Sequence, residues 1–176
     1  DLKKKVKRYL KIDSKVIYNP AYSGKNFNLK YKKKRERQIN LLNVGRLTYQ
    51  KNQLLLLRAL NEIENINYKL ILIGNGSEEK KLNEFIKLNR LQKKIKMIKN
   101  ITNINKYLSK CDTFILTSRY EGLPNVLIEA QMYKKFIISS DCPTGPKEIL
   151  MNGKAGYLFK NGDINDLKLK LKKFFL

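Results

Sequence analysis

Glu121-Gly-Leu-Pro-Asn-Val-Leu-Ile-Glu129 follows the apolar run Thr113-Phe-Ile-Leu-Thr117 and leads into Ala130-Gln-Met132. A strand-length apolar run that turns into a helical pattern is the unit from which parallel sheets are built. Proline is tolerated at the first helical position, where its missing N–H costs nothing, so Pro124 is expected to open the helix. Glu121 then stands in the loop before the helix, and Glu129 lies about 7.5 Å further along its axis. Leu123, just before the proline, has no side-chain oxygen with which to cap the helix. The N–H groups of Asn125, Val126 and Leu127 are therefore expected to point, unpaired, into the space before the helix. Such a terminus carries partial positive charge and suits a phosphate. Two carboxylates beside it suit hydroxyls on either side of a diphosphate. The same spacing also fits two solvated surface glutamates and an ordinary Gly-Leu-Pro turn, so the rest of the chain has to decide.

With 176 residues and 42% hydrophobic content, the chain suits one globular domain with a single core. No apolar run approaches the roughly 18–20 residues that span a bilayer. The start at Asp1-Leu-Lys-Lys, without methionine, fits a piece of a longer protein. Cys111 and Cys142 have no metal or redox spacing and read as reduced thiols of a cytoplasmic protein. There is no histidine, which excludes a histidine triad, base or metal ligand from this stretch. Asp112 and Asp141 stand apart from any carboxylate cluster.

The net charge of +23, from 38 Lys+Arg against 15 Asp+Glu, raises nucleic acid and anionic lipid headgroups as partners. The lysines are spread over the whole chain, with clusters at Lys3 to Lys11 and Lys30 to Arg37. We read them as a solvated face with a weak attraction to an anionic membrane surface, on the inner side of the membrane. No specific nucleic-acid partner is expected, because no recognition-helix, zinc or aromatic-sheet signature is present.

From residue 38 onward, strands and helices alternate. Strands are expected at Ile39–Val44, Tyr68–Ile73, Ile95–Ile98, Thr113–Thr117, Phe136–Ser139 and Gly156–Phe159. Helical spacing joins Leu56, Ala59, Leu60 and Ile63, then Leu82, Phe85 and Ile86 behind an N-cap at Ser77. Further helices are read at Ile104 to Leu108, Pro124 to Met132 and Pro146 to Leu150, and one closes the chain on Leu167, Leu171 and Phe174. This is an α/β, Rossmann-like three-layer domain with a parallel sheet of about six strands. Residues 1–37 read as a connector and an edge strand, with Val16-Ile-Tyr18 before Asn19-Pro20, and residues 38–176 as the domain.

In such a sheet, ligands bind at the carboxyl ends of the strands. Gly45-Arg46 ends the first strand and Glu121-Gly122 follows the fourth, so both loops fall on one rim. Gly45-Arg-Leu-Thr-Tyr-Gln-Lys51 adds two cations to that rim. Arginine offers a planar fork to phosphate oxygens and lysine a compact charge. Together they suit a diphosphate leaving group. Tyr49 and Tyr120 are candidates either for stacking on a base or for packing.

These pieces occur together in a known family. The chain resembles the nucleotide-sugar-binding half of glycosyltransferase family 4, whose GT-B architecture sets two Rossmann-like domains face to face. The resemblance is carried by Ile17-Tyr-Asn-Pro20, Asn43-Val-Gly-Arg-Leu47 with Lys51, Leu72-Ile-Gly74, and Ser118-Arg-Tyr-Glu-Gly-Leu-Pro-Asn-Val126 with Glu129. Ser139-Ser-Asp-Cys-Pro-Thr-Gly-Pro-Lys-Glu-Ile149 and Gly153-Lys-Ala-Gly-Tyr-Leu158 complete it.

The resemblance implies a retaining hexosyltransferase without a bound metal or other cofactor. Its donor is a nucleotide sugar, UDP-linked, and its acceptor a glycan or a lipid-linked sugar. Gly45, Arg46 and Lys51 would hold the donor diphosphate, and Glu121 would face the transferred sugar as the catalytic participant. Gly122, Leu123, Pro124, Asn125 and Val126 would line sugar and phosphates with main chain, and Glu129 would accept from the ribose hydroxyls. The base would rest near Lys99 to Thr102. The family's acceptor domain is not in this sequence, so the chain is expected to bind donor and to transfer nothing unaided. A nucleotide-sugar epimerase of the same architecture is the alternative enzyme, and a basic nucleic-acid-binding module the alternative without catalysis.

Overall fold

The computed structural model describes residues 7–9, 11 and 38–175. The expected connector and edge strand, including Val16 to Pro20, and the basic run at residues 30–37 lie outside the described residues. Six strands form one parallel sheet: β1 (Ile39–Val44), β2 (Tyr68–Ile73), β3 (Ile95–Ile98), β4 (Thr113–Leu116), β5 (Phe136–Ser140) and β6 (Tyr157–Phe159). Their order across the sheet is β3-β2-β1-β4-β5-β6. The helices are α1 (Gln53–Asn61), α2 (Glu79–Leu88), α3 (Asn105–Lys110), α4 (Asn125–Met132), α5 (Pro146–Ile149) and α6 (Ile164–Phe175). This is the α/β architecture expected from the alternation of runs.

Both sheet faces are buried, which explains why the strands read as continuous apolar runs. Side chains alternate in direction along a strand, so Leu41 and Leu42 enter different cores. Leu41 joins Leu56, Leu57 and Leu60 of α1, Leu82 and Ile86 of α2, and Leu167 and Leu171 of α6. Leu42 joins Leu108 of α3, Leu127 and Ala130 of α4, and Ile137 of β5 on the other side. Across the first layer, Lys168 of α6 reaches Glu62 at the end of α1 at 2.6 Å. Among the described residues no helix is long and apolar enough to cross a membrane.

Two element starts differ from expectation. Ser77 does not cap α2; Glu78 stands at the N-cap, and no side-chain cap bond forms there. Pro124 stands at the N-cap of α4 with ψ 89°, so the helix begins one residue later, at Asn125. A proline at the junction supplies only a carbonyl, and the N–H of Leu127 takes it at 2.9 Å.

The chain reverses direction across the sheet between β1 and β4. Asp112 and Asn40 lock the start of this pair, with Asn40 N–H donating to Asp112 Oδ2 at 2.8 Å and Asp112 N–H to the Asn40 carbonyl at 2.8 Å. Leu41 pairs with Thr113 and Leu42 with Phe114. Beyond them the ladder gives way to a side chain: Asn43 Nδ2, buried, donates to the Ile115 carbonyl at 2.8 Å. The strand ends therefore separate, and the crevice of a doubly wound sheet opens there.

Beside the crevice the main chain of the β2 exit closes on the β1 exit. A Cβ at Gly74, where φ is +153°, would stand 2.0 Å from the Gly45 carbonyl oxygen. Gly74→Ala is therefore expected to lower the urea unfolding free energy by about 2–3 kcal/mol through overpacking. Gly122→Ala, where an added Cβ meets nothing within 4 Å, is expected to stay within about 0.5 kcal/mol of the parent. Equal stability of the two variants would contradict the close approach.

Candidate nucleotide-sugar site

The loop from β1 to α1 and the link from β4 to α4 meet over the crevice. Lys51 Nζ lies 2.5 Å from Glu121 Oε1, and both side chains are largely buried, with 16% and 7% of their surface exposed. Ser118 Oγ donates to the same carboxylate oxygen at 2.5 Å. Glu121 Oε2 accepts no hydrogen bond among the described residues. The lysine stem lies along Gly45, whose hypothetical Cβ would touch Lys51 Cδ at 3.4 Å. A larger residue at position 45 would press on the stem, which gives Gly45 a role in seating the cation.

The cationic loop itself is held from below. Gln53, buried at the start of α1, donates from Nε2 to the Arg46 carbonyl at 3.0 Å. Thr117 Oγ1 donates to the Lys51 carbonyl at 3.0 Å. Arg46 itself is exposed, and its guanidinium makes no hydrogen bond or ion pair among the described residues. Lys51 and Glu121 thus share one rim, with Arg46 in the same β1–α1 loop as Lys51. Lys51, expected to face a diphosphate, is engaged with Glu121. An ammonium has three donors, so that contact leaves capacity for a second anion.

Behind Glu121 the loop from β5 to α5 acts as a brace. The Glu121 N–H donates to the Pro143 carbonyl at 2.7 Å, and the Thr144 N–H returns to the Glu121 carbonyl at 2.8 Å. Thr144 Oγ1 reaches the carbonyls of Glu121 and Gly122 at 3.0 and 3.2 Å. Gly145, with φ +97°, allows this approach, since a Cβ there would stand 2.6 Å from the Gly122 carbonyl oxygen. The carbonyls of Glu121 and Gly122 are thereby occupied. Among the described residues, the N–H groups of Gly122, Leu123, Asn125 and Val126 have no acceptor. Leu127, expected among the open donors, is removed from that set by its bond to Pro124. These amides stand at the positive end of α4, a terminus whose partial charge suits an anion.

Glu129 sits one turn inside α4, about 6 Å along the axis from Asn125. Burial holds its carboxyl above the ordinary range. Cys142 lies under the same corner, its thiol raised first by burial and further by the charge of Glu121. Both cysteines are buried and free, as expected of reduced thiols. Tyr49 and Tyr120 are exposed rather than packed, at 64% and 53%. Lys99 to Thr102 follow β3 on the same rim, and Lys99 pairs with Glu79 at 2.5 Å. Among the described residues, no three His, Cys, Asp or Glu side chains converge as a metal site would require.

Several participants were not singled out from sequence. Ser118 and Gln53 each act through one short-range hydrogen bond, to Glu121 and Arg46, while Thr144 makes three bonds to a turn more than twenty residues earlier in the chain. The only sequence signal for Ser118 and Thr144 was their membership of the runs that carried the resemblance.

Comparison with known proteins gives the family and the fold. Residues 25–176 match the family described as glycosyl transferases group 1. The amylovoran biosynthesis glycosyltransferase AmsD of Erwinia amylovora is 41% identical over 114 residues, which is 65% of this chain and 32% of that protein. An N-acetylgalactosamine-N,N'-diacetylbacillosaminyl-diphospho-undecaprenol 4-alpha-N-acetylgalactosaminyltransferase of Campylobacter jejuni is 32% identical over 132 residues, 75% of this chain and 36% of that protein. A crystal structure of an S. aureus TarM variant in complex with Fondaparinux, alpha-GlcNAc-glycerol and UDP superposes with a TM-score of 0.78 at 24% identity, over 94% of this chain and 34% of that one. The chain thus spans about a third of the length of the curated relatives named here. The match over residues 25–176 and the six-stranded parallel sheet place this chain in the glycosyl transferases group 1 family.

Proposed function

We propose that this chain is the donor-binding domain of a retaining glycosyltransferase. It would take a hexose or N-acetylhexosamine from a UDP-linked donor and pass it to a glycan or lipid-linked acceptor held by a further domain. The observation that carries this reading is the turn after Glu121, where the carbonyls of Glu121, Gly122 and Pro124 are bonded and the amides of Gly122, Leu123, Asn125 and Val126 have no acceptor among the described residues, beside the Lys51–Glu121 pair. A diphosphate supplies the acceptors those amides lack. The relatives' names support a lipid-linked or polysaccharide acceptor, and the UDP complex of the TarM variant supports the nucleotide.

In this reading Arg46, a cation without a partner among the described residues, grips the diphosphate. Lys51 spans Glu121 and the phosphates. As the bond from sugar to phosphate breaks, negative charge grows on the leaving diphosphate, and these cations with the α4 amides stabilise it. Glu121, oriented by Lys51 and Ser118, offers its second carboxylate oxygen to a sugar hydroxyl and supports positive charge developing on the ring. Glu129 accepts from the two ribose hydroxyls, as a carboxylate can do at once. Positive charge from these side chains and amides takes the place a metal ion would hold. The base rests near Lys99 to Thr102. The net charge of +23 fits work at the cytoplasmic face of an anionic membrane, to which the protein would be weakly drawn. Without the acceptor domain, the chain alone binds donor and does not turn over.

Titration calorimetry with UDP tests the assignment. Arg46→Ala and Glu129→Ala are each expected to weaken UDP binding by about tenfold, the effect of one charge-assisted contact. Binding equal to the parent in both variants would overturn the site. Acid gives a second test. The raised carboxyl of Glu129 holds its proton more tightly in the fold than in the unfolded chain, whose value is near 4.5. Its contribution to stability is therefore complete below about pH 4.5 and is lost as pH rises through the folded value. Glu129→Gln is expected to melt higher than the parent at pH 7 and equal to it at pH 4. UDP affinity of the parent should fall as acid protonates this carboxyl, while that of Glu129→Gln stays level over the same step.

A further inference from the structure

We infer that Arg119 is a positioning residue: it clamps the β1–α1 loop onto the β4–α4 link and so fixes Lys51 at the donor site. This rests on the donor-site reading only for its functional consequence, because the clamp itself is a matter of geometry. The Arg119 guanidinium lies over the Tyr49 ring, 4.1 Å from its centroid. Its terminal nitrogen donates to Asn52 Oδ1 at 3.4 Å. Tyr49 and Asn52 bracket Lys51 in sequence, so one head group holds the loop on both sides of the cation. The main chain repeats the connection. Arg119 N–H donates to the Gln50 carbonyl at 2.8 Å, and Gln50 Nε2 donates to the Tyr120 carbonyl at 3.0 Å. From the far side, Asn161 Nδ2 anchors the Arg119 carbonyl at 2.7 Å.

Among the described residues no carboxylate pairs with the guanidinium. Its Nε is buried and has no acceptor among the described residues. Its place is set by a flat aromatic face and one amide oxygen, a pairing that suits a planar, delocalised cation and not an ammonium. The strain of the segment gives the clamp something to oppose. Asn52 adopts a left-handed backbone, φ 49° and ψ 42°, immediately after Lys51. Released from Arg119, that residue is free to relax, and the lysine stem would swing away from Glu121. Tyr49, at 64% exposed, adds nothing to the core. Its ring serves as the surface on which the arginine closes.

Hydrogen exchange and calorimetry on Arg119→Ala, Arg119→Lys and Tyr49→Ala test the clamp. In the ligand-free protein, exchange at the Lys51 and Asn52 amides is expected to rise by about tenfold in Arg119→Ala and Tyr49→Ala, with Arg119→Lys between these and the parent. UDP affinity should fall by about tenfold in Arg119→Ala, and by less than about twofold when the same change is made in a Lys51→Ala background. Affinity for uridine, which has no phosphate, should not change. Unchanged exchange in residues 48–53 would overturn the clamp, and so would an equal loss of UDP affinity with and without Lys51. If Arg119→Ala does not fold, Tyr49→Ala, which alters only an exposed ring, carries the same comparison. Raised exchange in a protein whose parent form ignores UDP would refute the donor reading and leave the clamp standing.

Discussion

A lysine and a glutamate that meet across the mouth of the sheet organise everything around them. Taking two opposite charges out of water costs several kcal/mol per ion, and their attraction repays this only when geometry is good and further hydrogen bonds help. Here the help comes from Ser118, which shares the carboxylate oxygen with Lys51. A pair of this kind is a weak source of stability and a strong constraint on shape. It requires the β1–α1 loop and the β4–α4 link to stay in register, although the pairing of β1 with β4 ends at Leu42 and Phe114. The crevice keeps its form because its two lips are tied by side chains while the strands below them part.

The second constraint is the accounting of main-chain groups in the turn that carries Glu121. Buried or half-buried peptide groups are almost always paired. In this turn the carbonyls of Glu121, Gly122 and Pro124 all have donors, while the amides of Gly122, Leu123, Asn125 and Val126 lack acceptors among the described residues. The asymmetry has a local cause. Pro124 supplies no N–H and Leu123 no capping oxygen, and the β5–α5 loop brings Thr144 to the carbonyl side. What is left is a row of donors at a helix start, beside the Lys51–Glu121 pair. An anion placed there completes hydrogen bonds that the fold leaves open.

Much of this was legible in the residues. The ends of β1, β2 and β3 coincide with the apolar runs because each run stops at a glycine, an asparagine or a lysine where the strand leaves the core. The helix faces followed from the spacing of Leu56, Leu60, Leu82 and Leu167. Rim placement of Gly45-Arg46 and Glu121-Gly122 followed from the rule that ligands gather at strand carboxyl ends. Helix starts were less legible. Ser77 was read as a cap from its residue type, but the chain turns there before the helix begins. Pro124 was placed inside α4, although its ψ of 89° keeps it outside. Contacts between loops were not legible at all. Nothing in Thr144 or Arg119 announces that one braces Glu121 and the other covers Tyr49, because these contacts depend on how strands far apart in sequence stand side by side. The guanidinium of Arg46, without a partner among the described residues, and the engaged ammonium of Lys51 look alike in the chain and differ only in space.

The most direct measurement of the central claim is an amide NMR titration of the chain with UDP. The account expects the largest shifts at Gly122, Leu123, Asn125 and Val126, with smaller ones at Gly45 and Arg46, since those amides gain or border the diphosphate. Shifts confined to the opposite edge of the sheet, near β6, or no change at the start of α4 at saturating UDP, would contradict it.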